Sequence, residues 1–535
     1  GTEMSDGYTS CLRKFHLFVI LALLFNTAYV GYLFGPQIVS IGRERFPSRD
    51  EASAPITKLD FLPINFTLPD DALTDPNATA FANNSRMYLV DTRRLFEVGQ
   101  TIEVNVELFD GYGKRRTIGG DDVRVRLHND DLKAYASGHV IDNGNGSYTA
   151  RLVALWKGKS RIEVTLYHTR EAIKAMYRMR EQFVGNHMGK FKAGDVEEDI
   201  RCHPLARILK GRELCNLTLE NGGLSWYCWK PSNIKLLCHD WVEVTFRPPS
   251  HGLPLTNAEK GLLSPGGYGI SIPGNIKVEV RSFSNIYINL PECANVNSAI
   301  TWNQQSPAGY FYNNVWKPLH CKGFSNLTKI QKCLKGKELV IFGDSTTRHW
   351  FETLESLLDC KLVSESWSTA KWHKPAKAFC KHDFFIHWLP HAMPFSVGPR
   401  WDTRRYLRPI SAYLEEIRPN ENIIIVVHLF MHLEEYHPDV FRDRIQRIAR
   451  SVRHLLQRNP HVKIFMKGAH TFLARRPDYF NSVFDSISHQ AFKGLHDKVV
   501  FLKIRDFTDA KKSFDTHPSS EDVEEMVKYM VSYLC

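Results

Sequence analysis

Ser345 sits where an apolar run, Glu338-Leu339-Val340-Ile341-Phe342, passes through Gly343-Asp344 into Trp350, Phe351, Leu354, Leu357 and Leu358 at helical spacing. A serine at such a strand-to-helix corner is placed for nucleophilic chemistry. The corner exposes the hydroxyl at the carboxyl end of a sheet, and the N–H groups that open the helix can steady a developing oxyanion. A bare Gly-Asp-Ser arises by chance in roughly one chain in seven of this length, so the weight rests on the context. The matching base is His517, in Asp515-Thr516-His517-Pro518. The following proline predicts an extended, restrained histidine. Ser519 and Asp522 then fit a capping box, and Val523, Met526, Val527, Met530, Val531 and Leu534 form one apolar stripe that would pin a final helix to the core. The expected chain order is Ser, then Asp, then His.

The elements around these residues predict an α/β domain. The runs Ile423-Ile-Ile-Val-Val427 and Val462-Lys-Ile-Phe-Met466 flank a helical stretch from Val440 to Gln457, and strand, helix, strand implies a parallel sheet. His373, His382, His387 and His391 lie between the serine and this core. His428 and His432 have an i,i+4 spacing, but on a strand end and without a His-Glu-x-x-His motif, so no metal site is predicted. The stretch Arg400 to Arg408 mixes guanidiniums with aromatics; Trp401, Arg404 and Arg405 suit the carboxylates and faces of acidic sugars, and a solvated basic loop is the other reading. Arg348, one turn past Ser345, is a candidate for an anionic substrate group.

The stretch Phe342-Gly-Asp-Ser-Thr-Thr-Arg-His-Trp-Phe-Glu352, together with Gly309-Tyr-Phe-Tyr-Asn-Asn-Val-Trp-Lys-Pro318, Trp226-Tyr-Cys-Trp-Lys-Pro231 and the terminal Tyr-Leu-Cys535, resembles the neurexophilin and PC-esterase domain (NXPE) family. The resemblance spans nearly all of the chain after its first apolar run. It implies an immunoglobulin-like sandwich, a cysteine-rich segment, and a C-terminal PC-esterase domain of the SGNH-hydrolase type, a superfamily of esterases and glycan O-acetyltransferases. Ser345 matches the superfamily nucleophile and His517 its base. The superfamily's acid stands three residues before the histidine, where this chain has Phe514. Asp515 is therefore taken first as the acid, with Asp506, which matches an acidic position of the family, and then Asp509 as alternatives. The superfamily's Gly-x-Asn-Asp oxyanion run is replaced by Leu429-Phe-Met-His432. Asp344, Gly343 and His432 are taken as oxyanion or site-lining residues.

Composition and cysteine use set the compartment. The 535 residues are 43% hydrophobic and 24% charged, ordinary for globular protein. Residues 1–14 read as a cytosolic tail, and Phe15 through Phe34 form an apolar run long enough to span a bilayer, an uncleaved signal-anchor. The sequons at Asn65, Asn77, Asn83, Asn145, Asn216 and Asn326, and ten of 11 cysteines, follow that run. Disulfides and glycans then predict a type II membrane protein of the Golgi or another secretory-pathway membrane, with secretion as the alternative. Residues 35–85 read as a glycosylated stem. Alternation at Val104-Val106-Leu108, Val123-Val125-Leu127, Tyr148 to Trp156 and Ile162-Val164-Leu166 predicts a β-sandwich over 86–170, in which no catalytic cluster stands out, so it is assigned a spacer or recognition role. Residues 171–335, after a helix near Glu171 to Phe183, read as loops stapled by bridges. The α/β domain occupies 336–535.

A net charge of +11 raises nucleic acid as a partner, but no such motif occurs and a lumenal chain favours an acidic glycan. The expected activity is glycan O-acyl transfer through an acyl-serine, with acetyl-CoA as donor and no bound cofactor. Removal of an O-acetyl group by the same residues, and a catalytically silent binding protein built on the sandwich, remain open beside it.

Overall fold

The computed structural model describes residues 72–182, 187–246, 255–281, 290–324, 326–363, 375–381, 383–391, 408–472 and 478–534. The expected tail, signal-anchor, most of the stem with Asn65, and Trp401, Arg404 and Arg405 lie outside these residues. Among the described residues no helix is long and apolar enough to cross a membrane.

The last two hundred residues form the scaffold of the site. Its strands are β1 (Glu338–Gly343), β2 (Cys360–Leu362), β3 (Ala376–Cys380), β4 (Phe384–Pro390), β5 (Ile423–Val427), β6 (Lys463–Lys467) and β7 (Val499–Leu502). Its helices are α1 (Ser345–Leu357), α2 (Ile410–Glu416), α3 (Pro438–Arg458), α4 (Phe480–Ala491), α5 (Arg505–Lys511) and α6 (Ser520–Val531). The sheet order is β2-β3-β4-β1-β5-β6-β7. From β4 to β7 all neighbours are parallel, while β2 and β3 add an antiparallel edge. Alternate residues of each strand serve opposite cores. Val340, Phe342, Ile425 and Met466 face α3 and α4, whereas Leu339, Ile341, Val426 and Phe465 face α1, α5 and α6. Both faces are therefore covered, and this is why the strands read as unbroken apolar runs. Helix α3 alone buries Val440, Phe441, Ile445, Ile448, Val452 and Leu455, each contributing about 1.5–3 kcal/mol of burial free energy.

Counted in chain order, the five parallel strands stand 2-1-3-4-5 across the sheet. The first connection goes to one side of β1 and the next returns to the other, so a crevice opens at the carboxyl ends of β1 and β5. Ser345 is two residues past the end of β1.

The β-sandwich draws on more chain than its alternating segment. A four-stranded sheet (Arg86–Leu89, Thr101–Glu107, His139–Asp142, Ser147–Val153) faces a larger sheet whose central strands are Asp122–Asn129 and Gly158–His168. Val104, Val106 and Leu152 meet Val125, Val164 and Val278 in one core. The larger sheet continues through Ile276–Arg281 on one side and the hairpin Gly309–Tyr312/Val315–Pro318 on the other. That hairpin turns on Asn313 and Asn314, both with positive φ, as a two-residue turn of this kind requires. Its Trp316 stacks on Phe507 of α5 at 3.6 Å between ring centroids. The sandwich and the α/β scaffold thus share a core. Arg124, in the larger sheet, adds a buried link, reaching Asp478 at 2.9 Å and Asp509 at 3.2 Å while lying 3.7 Å over the Tyr167 ring.

Between them, a helix at Arg170–Gln182 leads into a five-stranded antiparallel sheet. More of this segment is strand than the stapled-loop reading expected. Its core is small, Phe191, Ile200, Trp226, Trp241 and Val244 around the Cys202–Cys228 and Cys215–Cys238 bridges. Cys293–Cys321 and Cys360–Cys380 are also bonded. The sequon asparagines Asn77, Asn83, Asn145, Asn216 and Asn326 are all exposed.

Candidate active site

The corner after β1 is built from buried polar bonds. Asp344 caps α1: its carboxylate accepts from the Thr346 N–H at 2.9 Å and the Thr346 hydroxyl at 2.7 Å, and its second oxygen accepts from the Met431 N–H at 3.2 Å in the turn after β5. Asp344 is 1% exposed, so it anchors the corner from inside and presents no donor to a substrate. Gly343 is required by close approach, since a Cβ there would lie 2.5 Å from the Thr347 hydroxyl and 3.1 Å from His428 Cβ. Ser345 opens the helix, so its N–H is among those the helix leaves unpaired and available to an oxyanion.

Beneath the corner lies a cluster that the sequence did not reveal. Lys467, the last residue of β6, is 2% exposed; its ammonium lies 3.3 Å from His428 Nε2 and 3.5 Å from the Thr346 hydroxyl. His428 donates from Nδ1 to the Lys467 carbonyl at 2.9 Å, leaving Nε2 as the acceptor. Burial, with Lys467 beside it, pushes His428 down to about 3, so it is neutral at neutral pH. Burial also brings Lys467 down to about 8, opposed by Asp344 and Asp485. Burial works against the Asp344 charge as well, yet His428, His432, Lys467 and His391 hold its carboxyl well below the usual range. With His428 neutral, the Lys467 ammonium is the charge that balances Asp344. The spacing of His428 to His432 is therefore structural: His428 bonds inward, and His432 Nδ1 lies 3.1 Å from Nε2 of His391, a residue whose backbone N–H donates to the Gly343 carbonyl.

Ser345 Oγ and His517 Nε2 lie 2.8 Å apart, hydrogen-bond distance for a nucleophile and its base. The His517 loop is held from below by His470 and Thr471, which follow β6. Buried His470 donates from Nε2 to the Thr516 carbonyl at 2.9 Å, and the Thr471 hydroxyl donates to the Ser513 carbonyl at 3.1 Å. Burial pushes His470 down to about 3. Ser519 caps α6 as the spacing predicts, accepting from the Asp522 N–H, while the Asp522 carboxylate turns to Lys511 instead of closing a capping box.

The structure does not bring the expected acid to His517. Asp515 is exposed, and the chain bends at Thr516 and His517. Among the described residues no carboxylate pairs with His517. Asp506, 2% exposed, accepts from the Ser306 hydroxyl, the Ser137 hydroxyl and the Ala308 N–H at 2.8, 3.3 and 2.7 Å; it joins α5 to the sandwich. Asp509 pairs with Arg124 and Arg505. Instead of a carboxylate, His349, on the same face of α1 as Ser345, lies with its ring 4.7 Å from that of His517. Burial, then His517 and Arg348, push His349 down to about 4. Its i+4 spacing from Ser345 was readable in the sequence. Arg348 pairs with Glu352 at 3.3 Å. A groove of about 700 Å³ opens between α1 and α6, bordered by His349, Thr353, Pro518 and Val523.

Among the described residues, Asp122, His168 and Asp478 bring ligand atoms within 4.8 Å of one another. Arg124 already bonds both carboxylates, so this grouping has its cation.

A doubly wound α/β domain with a serine and a histidine in contact at its switch point defines the class. Two family profiles match the chain, "NXPE family member 4-like, C-terminal domain" over residues 316–535 and "Neurexophilin" over 84–248. The chain belongs to the NXPE family, and its C-terminal domain is PC-esterase-like. Two solved structures show slight likenesses. The Lin-41 filamin domain is 16% identical over 16% of this chain and 80% of its own, at a TM-score of 0.14. FdeC, an Escherichia coli adhesin, is 11% identical over 38% of this chain and 65% of its own, also at 0.14. Neither bears on the fold.

Proposed function

We propose that this chain is an O-acyltransferase that forms an acyl-serine at Ser345 and passes the acyl group to a glycan hydroxyl. The observation that carries the reading is the 2.8 Å contact between Ser345 Oγ and His517 Nε2 at the carboxyl ends of parallel strands. As Oγ attacks the acyl carbonyl, its proton passes to His517 Nε2, and the oxyanion forms beside the Ser345 N–H. Collapse expels the donor's leaving group, which takes the proton from His517. An incoming sugar hydroxyl gives its proton to His517 and receives the acyl group, and the departing Oγ takes that proton from His517, restoring free serine. Water in place of the sugar turns the same cycle into O-acetyl removal. Among the described residues no carboxylate pairs with His517, and its orientation rests on the loop that carries it and on His349.

The SGNH type of the domain belongs to this proposal; the strand order and the PC-esterase-like profile support it. Bonded cysteines and exposed sequons support a lumenal, secretory-pathway site of action, and acetyl-CoA is the proposed donor. Acidic glycans remain the proposed acceptors on the strength of the Arg400–Arg408 sequence. The test is mass spectrometry of O-acetyl groups on cell-surface glycans, comparing cells that express this chain with cells that express Ser345→Ala at equal level. A serine-dependent gain is expected. A serine-dependent loss assigns hydrolysis instead, and no difference removes the catalytic reading.

A further inference from the structure

We propose that the β-sandwich is a positioning element for His517, acting through Lys512. This rests on the Ser345–His517 reading and adds to it a role for a domain in which the sequence showed no catalytic cluster.

The segment from α5 to His517 is short of core contacts of its own. Ser513, Phe514 and Thr516 are only half-buried, and Asp515 and His517 are exposed. Fixing such residues costs backbone entropy, so the loop needs outside ties. His470 and Thr471 supply two from the α/β scaffold; the others come from the sandwich. Arg126 donates to the Ala510 carbonyl at 3.4 Å. Lys512 donates to Glu163 Oε1 at 2.5 Å and to the Ser271 hydroxyl at 2.7 Å, both groups of the larger sandwich sheet. Phe514 packs edge-on against Tyr167, with centroids 6.2 Å apart. Five residues before His517, the chain is thus clamped to the sandwich by a charged, partly buried bond.

The backbone of Lys512 supports the same conclusion. It ends α5 in the left-handed region, at φ 54°, where glycine or asparagine is the ordinary residue. A lysine there bears a conformational cost that its side-chain bonds to Glu163 and Ser271 offset. Glu163 also bonds Arg126, through a second oxygen at 2.6 Å, so one carboxylate ties the loop and the end of α5 together. If the clamp opens, His517 leaves Ser345. Misplacement of a catalytic group by about 1 Å can cost up to a hundredfold in rate.

The experiment is the rate at which an alkyl fluorophosphonate labels the full chain. Labelling forms an Oγ–phosphorus bond at Ser345, releases fluoride and passes the hydroxyl proton to His517, so its rate reads the serine–histidine contact without a known substrate. Ser345→Ala is the blank. Lys512→Met and Glu163→Gln are each expected to slow labelling about tenfold, Lys512→Arg to restore most of it, and hydrogen exchange at 513–517 to quicken only in the slowed variants. Wild-type labelling at a rate that Lys512→Met and Glu163→Gln both match overturns this inference and leaves the acyl-serine reading standing. Slowing in Lys512→Arg equal to that in Lys512→Met, with exchange unchanged, also overturns it. If wild type shows no Ser345-dependent labelling, the acyl-serine reading itself falls, and this inference with it.

Discussion

The two halves of the candidate site are held by opposite means. The nucleophile corner is saturated from within: Asp344 accepts three hydrogen bonds, Lys467 balances its charge across neutral His428, and Gly343 leaves no room for a side chain. The histidine loop is exposed, and is held at its carbonyls by His470 and Thr471 and at Lys512 by another domain. A buried charge network is rigid but fails badly when one member is lost. A surface loop held by separate ties loses position before it loses fold. Changes at the corner should therefore appear chiefly as stability, and changes at the loop chiefly as rate.

The largest expected effect follows from Asp344→Ala. It removes the carboxylate that keeps buried Lys467 charged and leaves the Thr346 and Met431 N–H groups without their acceptor, so a loss of roughly 3–5 kcal/mol in denaturant unfolding is expected. A loss below about 1 kcal/mol would show that the corner is no more dependent on buried charge than the loop is. A smaller effect, with a pH signature, is expected at the clamp. Burial works against the Glu163 charge, but Lys512, Ser271 and Arg126 outweigh it and hold the carboxyl down to about 2 from an ordinary 4.5. Because the folded value lies below the unfolded one, the stabilisation is full above pH 4.5 and is lost as pH falls through 2. Glu163→Gln should thus lower stability by about 1 kcal/mol at pH 7, and the difference from wild type should shrink steadily between pH 4.5 and pH 2. A difference that stays constant over that range would detach Glu163 from the ion pair.

The same contrast explains what the sequence disclosed. The corner could be read because its strand, turn and helix are consecutive, so an unbroken apolar run and a helical pattern within about twenty residues place Ser345 unaided. His517 was found through a local signal too, the start of α6 at Ser519. The Asp515 expectation rests on its place two residues before the histidine, a nearness in sequence that the structure does not turn into contact, since Asp515 is exposed. His428 follows β5 while Lys467 and His470 come from the end of β6, and only the order of strands in the sheet brings them together beneath Ser345. A lysine directly after the apolar run Ile464-Phe465-Met466 was the available signal. The sandwich was legible in its alternating strands, but Ile276–Arg281 and the Gly309–Pro318 hairpin join it across more than a hundred residues. Nothing local in those strands names the sheet they enter, and the clamp on Lys512 depends on that assembly.

The most direct test of the central claim is to trap the intermediate. The chain is incubated with an activated acetyl ester, quenched in acid and digested, and the peptide containing Ser345 is analysed by mass spectrometry. The account predicts a single acetyl group on Ser345, absent from Ser345→Ala and formed far more slowly in His517→Gln. An unmodified Ser345, or acetylation that proceeds equally fast without His517, would contradict it.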